Sequence, residues 1–150
     1  MTAHCDAEAL KTWLGSGRWD VIHFNWGLHD IKYMDDGKRQ VSPEEYEKNL
    51  RELVKQMEAT GAKLVWCNTT PVPEGDLKPK RVPADVQAYN RIAAKVMAEA
   101  DVTTDDLYSF AADKLKEIQL PANVHFSDSG SAVLAGEVAR VIEQALSTKK

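Results

Sequence analysis

Apolar residues along the chain follow two alternating rhythms. Residues 19–26 carry Trp19, Val21, Ile22, Phe24 and Trp26 in a short run, apolar on both faces, which is the pattern of a strand buried in a parallel sheet. From Ser42 the spacing changes, and Tyr46, Leu50, Leu53, Val54 and Met57 recur as the stripe of an amphipathic helix. Pro43 at its first position and Glu45 three residues after Ser42 make a capping box, and Gly61 ends it. Residues 63–68 read as a second strand. A loop over 71–81, rich in proline and charge, leads to a helix over 83–100 with Val86, Tyr89, Ile92, Ala93, Val96 and Met97 facing inward.

The remaining elements are shorter or weaker. Residues 101–104 predict a third strand, and 105–118 a helix carrying Leu107, Phe110 and Leu115. The final helix starts near Ser127, with Val133, Leu134, Val138, Val141 and Ile142 at helical spacing. At the other end, Asp6 caps a short helix over 6–14 with Leu10, Trp13 and Leu14 on one face, stopped by Gly15-Ser16-Gly17.

Strands alternating with helices of this length imply right-handed crossovers, hence an α/β fold with a parallel sheet covered on both faces. No internal repeat or boundary interrupts the pattern, so residues 1–150 are expected to form one domain. Ligand sites in such sheets lie outside the carboxyl ends of the strands. That rule selects residues 25–30, 68–73, 105–108 and the loop holding His125.

Composition narrows the chemistry. With 150 residues, 43% hydrophobic and 28% charged, the chain has enough apolar surface for a core without covalent or metal staples. Cys5 and Cys67 stand far apart, with no C-x-x-C pair and no histidine at ligand spacing, so neither a disulfide framework nor a zinc site is indicated. A net charge of -4 with both signs interspersed leaves no footprint for nucleic acid or an anionic membrane, and neither is expected as a partner. No apolar run reaches the ~18 residues of a membrane span. Residues 1–6 have neither a basic nor an apolar leader region. The expectation is a soluble, cytoplasmic chain as it stands, with a signal segment upstream of Met1 left open.

Two polar clusters fall where a site should be. After the first strand comes Asn25-Trp26-Gly27-Leu28-His29-Asp30, in which Gly27 permits a sharp turn while His29 and Asp30 offer a donor and an acceptor. The same pair also reads as a turn-capping aspartate beside a solvated histidine. Ahead of the last helix, Val124 and Phe126 flank His125 and can anchor its loop, which suits a general base. A loop histidine without a partner in reach has no such role.

These segments resemble the SGNH/GDSL hydrolases. The stretch Trp19 to Asp30, then Thr69-Thr70-Pro71-Val72-Pro73, then Val124-His125-Phe126 occur in the family's order and spacing, and the likeness runs over about residues 13–146. It is similar to a bacterial branch with Gly-Leu-His-Asp where most members have Gly-x-Asn-Asp. The resemblance implies a three-layer flavodoxin-like sheet and an esterase acting on small carboxylic esters or carbohydrate acetyl esters without metal or organic cofactor. By the same resemblance His125 is the catalytic base and His29 donates to the oxyanion. Gly27 and Asp30 shape the oxyanion loop, and Asn25, Trp26, Thr69 and Thr70 line the substrate pocket.

The departures are equally specific. No Gly-Asp-Ser segment is present, so the chain is expected to be N-terminally truncated relative to the family and to lack the serine nucleophile. No glycine occurs in residues 1–6, where the family's second oxyanion donor would fall, and the position three before His125, commonly aspartate, is Ala122. Ser16 reads as a turn residue, Ser127 as a helix cap and Asp128 as a helix-start charge. Weak ester hydrolysis is one expectation, and a non-catalytic remnant or binding module of the same fold is the other. The family's serine strand lies beside residues 21–25, so an unpaired edge is expected there, with a homodimer across it.

Overall fold

The computed structural model describes residues 1–5 and 7–147. Asp6, the expected cap of the first helix, lies outside the described residues. After a short 3-10 turn over Thr2–His4, the elements are α1 (Ala7–Leu14), β1 (Val21–Phe24), α2 (Pro43–Glu58), β2 (Lys63–Cys67), α3 (Pro83–Glu99) and β3 (Thr103–Asp105). They are followed by α4 (Leu107–Ala112), α5 (Leu115–Ile118) and α6 (Asp128–Ser147).

The strands pair in parallel in the order β1-β2-β3, with Val21 opposite Lys63, Phe24 opposite Trp66 and Cys67 opposite Asp105. Alternation sends successive side chains to opposite faces. On one face Phe24 and Trp66 meet edge to face at 5.4 Å and join Leu50, Leu53 and Val54 of α2 and Val86, Ala93 and Val96 of α3. On the other, Cys67 packs with Leu107, Ala111, Ile118 and Leu134 beneath α4, α5 and α6. The result is the three-layer α/β arrangement that alternation implies.

The best-specified element is α2. Its Ser42 Oγ accepts from the Glu45 N-H at 3.2 Å while the Ser42 N-H donates to Glu45 Oε2 at 3.2 Å, closing the capping box. All five residues of its stripe are buried. At the other end of the chain, α6 approaches the end of α5 so closely that a Cβ on Gly130 would lie 2.2 Å from the Ile118 carbonyl oxygen.

Four expectations need correction. Trp13 does not join the core: α1 packs against α2 through Leu10, and Trp13 is 64% exposed. The third strand starts later than expected, because the Val102 N-H still closes the end of α3 on the Met97 carbonyl, and it runs on through Asp105. The helix expected over 105–118 is broken into α4 and α5. Asp106 caps α4 by accepting from the Ser109 N-H, and the chain leaves helical geometry at Lys114. On α6, Val133 points outward at 40% exposure while Leu134 is buried. Among the described residues no helix is long and apolar enough to cross a membrane.

Candidate active site

The loop after β1 is held by groups that reach it from three directions. The Tyr46 hydroxyl of α2 donates to the Trp26 carbonyl at 2.8 Å, and Asn25 Nδ2 donates to the Cys67 carbonyl at the end of β2 at 2.7 Å. Gly27 sits at φ +149°, and a Cβ there would lie 2.2 Å from Thr69 Oγ1. Only glycine fits this position, because the backbone passes directly over the threonine. Thr69 itself is buried. Its N-H donates to Asn90 Oδ1 at 2.9 Å and its hydroxyl faces the Trp26 carbonyl at 3.4 Å. It braces the loop from below, whereas Asn25 is exposed and Trp26 and Thr70 are half-buried at the surface.

Asp30 is fully buried and ties this loop to the chain's start. Its Oδ1 accepts from the Thr2 N-H at 2.8 Å and the Thr2 hydroxyl at 2.5 Å, and its carbonyl accepts from the Val41 N-H at 3.1 Å. Arg81, 7% exposed, donates through Nε to the Leu28 carbonyl at 2.7 Å. Between these anchors His29 remains exposed. Desolvation, then the charges of the N-terminal ammonium, Arg81 and Lys32, lower its pKa from 6.5 against the pull of Asp30. His29 therefore stays neutral to lower pH than a free imidazole, with one ring N-H to donate.

The second loop is built on an antiparallel bridge between Gln119 and Phe126, closed by the Leu120 N-H on the His125 carbonyl at 3.0 Å. One hydrogen bond carries it to the loop after β2, which Asn25 already ties to the first: Gln119 Nε2 donates to the Pro71 carbonyl at 3.0 Å, while Val124 packs on the main core cluster. The loops after β1 and β2 and the His125 loop are thus joined at the carboxyl end of the sheet.

His125 is exposed, and one atom governs its ring. Its backbone N-H lies 3.0 Å from Asn123 Oδ1, and its Nδ1 lies 2.7 Å from the same atom. A backbone N-H can only donate, so the atom it meets is the amide oxygen. Nδ1 must then carry the ring proton, which leaves the lone pair on Nε2. Asn123 occupies the orienting role for which the sequence offered Ala122. The signal was present in the spacing, because an asparagine two residues ahead commonly bonds the backbone it precedes.

No hydroxyl or thiol is paired with that ring among the described residues. Ser127 Oγ accepts from the Gly130 N-H at 3.0 Å as the cap of α6 and lies 3.1 Å from Ser129 Oγ. Ser16 lies ahead of β1, at the opposite end of the sheet. Burial, then the charges of Asp105 and Asp106, push the Cys67 thiol up to about 12, so it is not a thiolate at neutral pH.

The sequence model of the GDSL-like Lipase/Acylhydrolase family matches residues 4–133. The chain belongs to this family. No curated protein sequence matches it. Solved structures share the fold: a lipase/acylhydrolase from Enterococcus faecalis at 21% identity and TM-score 0.70, over 99% of this chain and 71% of that one. An acetyl xylan esterase is similar at 19% identity and TM-score 0.69, over 82% of this chain and 67% of that one. A member of the lipolytic G-D-S-L family from Veillonella parvula matches at 18% identity and TM-score 0.68, over 94% of this chain and 76% of that one.

In this GDSL-like chain three positioning residues escaped the sequence reading. Asn123 orients His125, Arg81 holds the Leu28 carbonyl next to His29, and Gln119 bridges to Pro71. The last two act across 53 and 48 residues of chain, beyond any local pattern.

Proposed function

We propose that this GDSL-like chain hydrolyses small carboxylic esters slowly, acetyl esters of carbohydrates among them, with His125 as general base and His29 as oxyanion donor. The observation that carries this reading is the pair of contacts on Asn123 Oδ1, which leaves Nε2 of an exposed histidine with its lone pair. Among the described residues no hydroxyl or thiol is paired with that ring, so the group to be activated is water. Nε2 takes a proton from water as its oxygen attacks the ester carbon, and the imidazolium returns that proton to the departing alcohol. The neutral His29 N-H meets the charge that develops on the carbonyl oxygen. Asn25, Trp26 and Thr70 flank the ester, while Gly27, Asp30 and Thr69 set the loop. Likeness to an acetyl xylan esterase supports an acetyl group as the acyl part.

The test is p-nitrophenyl acetate hydrolysis by wild type, His125→Ala and Ser16→Ala. Slow turnover that His125→Ala abolishes and Ser16→Ala leaves unchanged supports the reading, and equal rates in all three overturn it. A second reading, a binding module of the same fold, is favoured by the engagement of the Ser127 and Ser129 hydroxyls with each other. It predicts saturable binding of an acetylated sugar with no acetate released.

We also propose that the chain pairs with a second copy along β1. Among the described residues that strand is hydrogen-bonded on one side, to β2, and Trp19 just ahead of it is 45% exposed. Open strand edges of this kind tend to pair. Light scattering at high micromolar concentration checks this, and a monomer there would refute it.

A further inference from the structure

His23, Cys67 and Asp105 come from three strands and share the sheet face under α6, and the proposed ester chemistry uses none of their side chains. The register places them there: His23 lies opposite Val65, and Cys67, two residues on, lies opposite Asp105. The His23 ring reaches across β2 so that Nε2 stands 2.9 Å from Asp105 Oδ2. The donor atoms of all three residues lie within 4.8 Å of one another. Asp105 is 2% exposed and Cys67 5% exposed, and among the described residues no lysine or arginine pairs with that carboxylate.

We propose that these three side chains form a binding site for a borderline divalent cation of the zinc class. One imidazole nitrogen, one carboxylate and one thiol that releases its proton to solvent as the metal binds are a mixed set that zinc accepts, and the two negative charges of the bound set match its two positive ones. The thiolate disfavours magnesium and calcium, which take oxygen donors. Tetrahedral zinc separates nitrogen, oxygen and sulfur donors by roughly 3.4–3.6 Å, from its usual bond lengths. The present spacing, 2.9 Å between His23 Nε2 and Asp105 Oδ2 with all three donors within 4.8 Å, needs a small opening of the His-Asp pair and an approach of the sulfur. Three protein donors leave the fourth position to water. Asp105 also lines a groove of about 690 Å³ between the sheet and α6, beside Glu137 and Arg140. Spacing along the sequence concealed the site because its donors meet only when the sheet forms.

Cobalt(II) titration of the purified, reduced chain tests the proposal. The expected result is one equivalent bound, with thiolate-to-cobalt charge-transfer absorption and the intense visible bands of a tetrahedral ion. Both disappear on adding zinc. The charge-transfer band should be lost in Cys67→Ser, kept in Cys5→Ser, and weakened at least tenfold in cobalt affinity by His23→Gln. Zinc at a hundredfold excess over its Kd should raise the wild-type Tm by about 8 °C. Absence of the charge-transfer band in folded wild type overturns the proposal whatever the variants do. A band that survives Cys67→Ser, or falls with Cys5→Ser, overturns it as well.

Discussion

Asn123 Oδ1 takes both the backbone N-H and the ring Nδ1-H of His125, at 3.0 and 2.7 Å. A neutral amide thereby does the orienting that a carboxylate does in a Ser-His-Asp triad, without its charge. Asn123→Ala should free the ring, so that nitrogen NMR of neutral His125 changes from the Nδ1-H form to a mixture dominated by Nε2-H. Hydrolysis should fall about tenfold with it. Asn123→Asp should keep the tautomer, because a carboxylate oxygen accepts from Nδ1-H as the amide oxygen does. An unchanged tautomer in Asn123→Ala would remove the orienting role.

His29 provides a pH test of its own. Its folded pKa lies below 6.5, whereas the unfolded chain titrates near the free value. Between those two pH values the unfolded state binds more protons, so stability present above about 6.5 is lost as pH falls through the folded pKa. Proton NMR should give a His29 midpoint below 6.5, and Arg81→Gln, which removes one of the opposing charges, should move it upward. A midpoint above 6.5 in wild type would contradict the neutral-donor role.

Gly27→Ala should be among the most damaging single substitutions in the loop. It adds a Cβ at φ +149°, 2.2 Å from Thr69 Oγ1, and so combines backbone strain with overlap. A loss of about 2–4 kcal/mol is expected in urea denaturation. Thr69→Ala in that background should recover part of it, since the overlapping hydroxyl is removed while the strained φ remains.

Much of the fold was legible because its signals are local. The α2 helix carries its cap, first proline and apolar stripe within one stretch of sequence, and all of them stand where the pattern put them. β3 was weaker, since Thr103 and Thr104 are exposed and a three-residue strand has no periodicity to read. Trp13 misled for a related reason: helical spacing says which residues share a face, and tertiary contact decides how much of that face is covered. At the site, the order of polar clusters after each strand marked both histidines. The partners that define their chemistry were hidden in two ways. Asn123 was overlooked for the position of the usual aspartate, while Arg81, Gln119 and the His23-Asp105 pair act across distant parts of the chain.

We propose that the oriented His125, and not a serine, supports ester hydrolysis in this chain. The most direct test is intact-mass analysis after a fluorophosphonate probe, under conditions in which the same sample turns over p-nitrophenyl acetate. The expected result is unchanged mass alongside slow turnover that His125→Ala eliminates. Stoichiometric phosphonylation of one serine, with fast turnover and an initial burst, would contradict it.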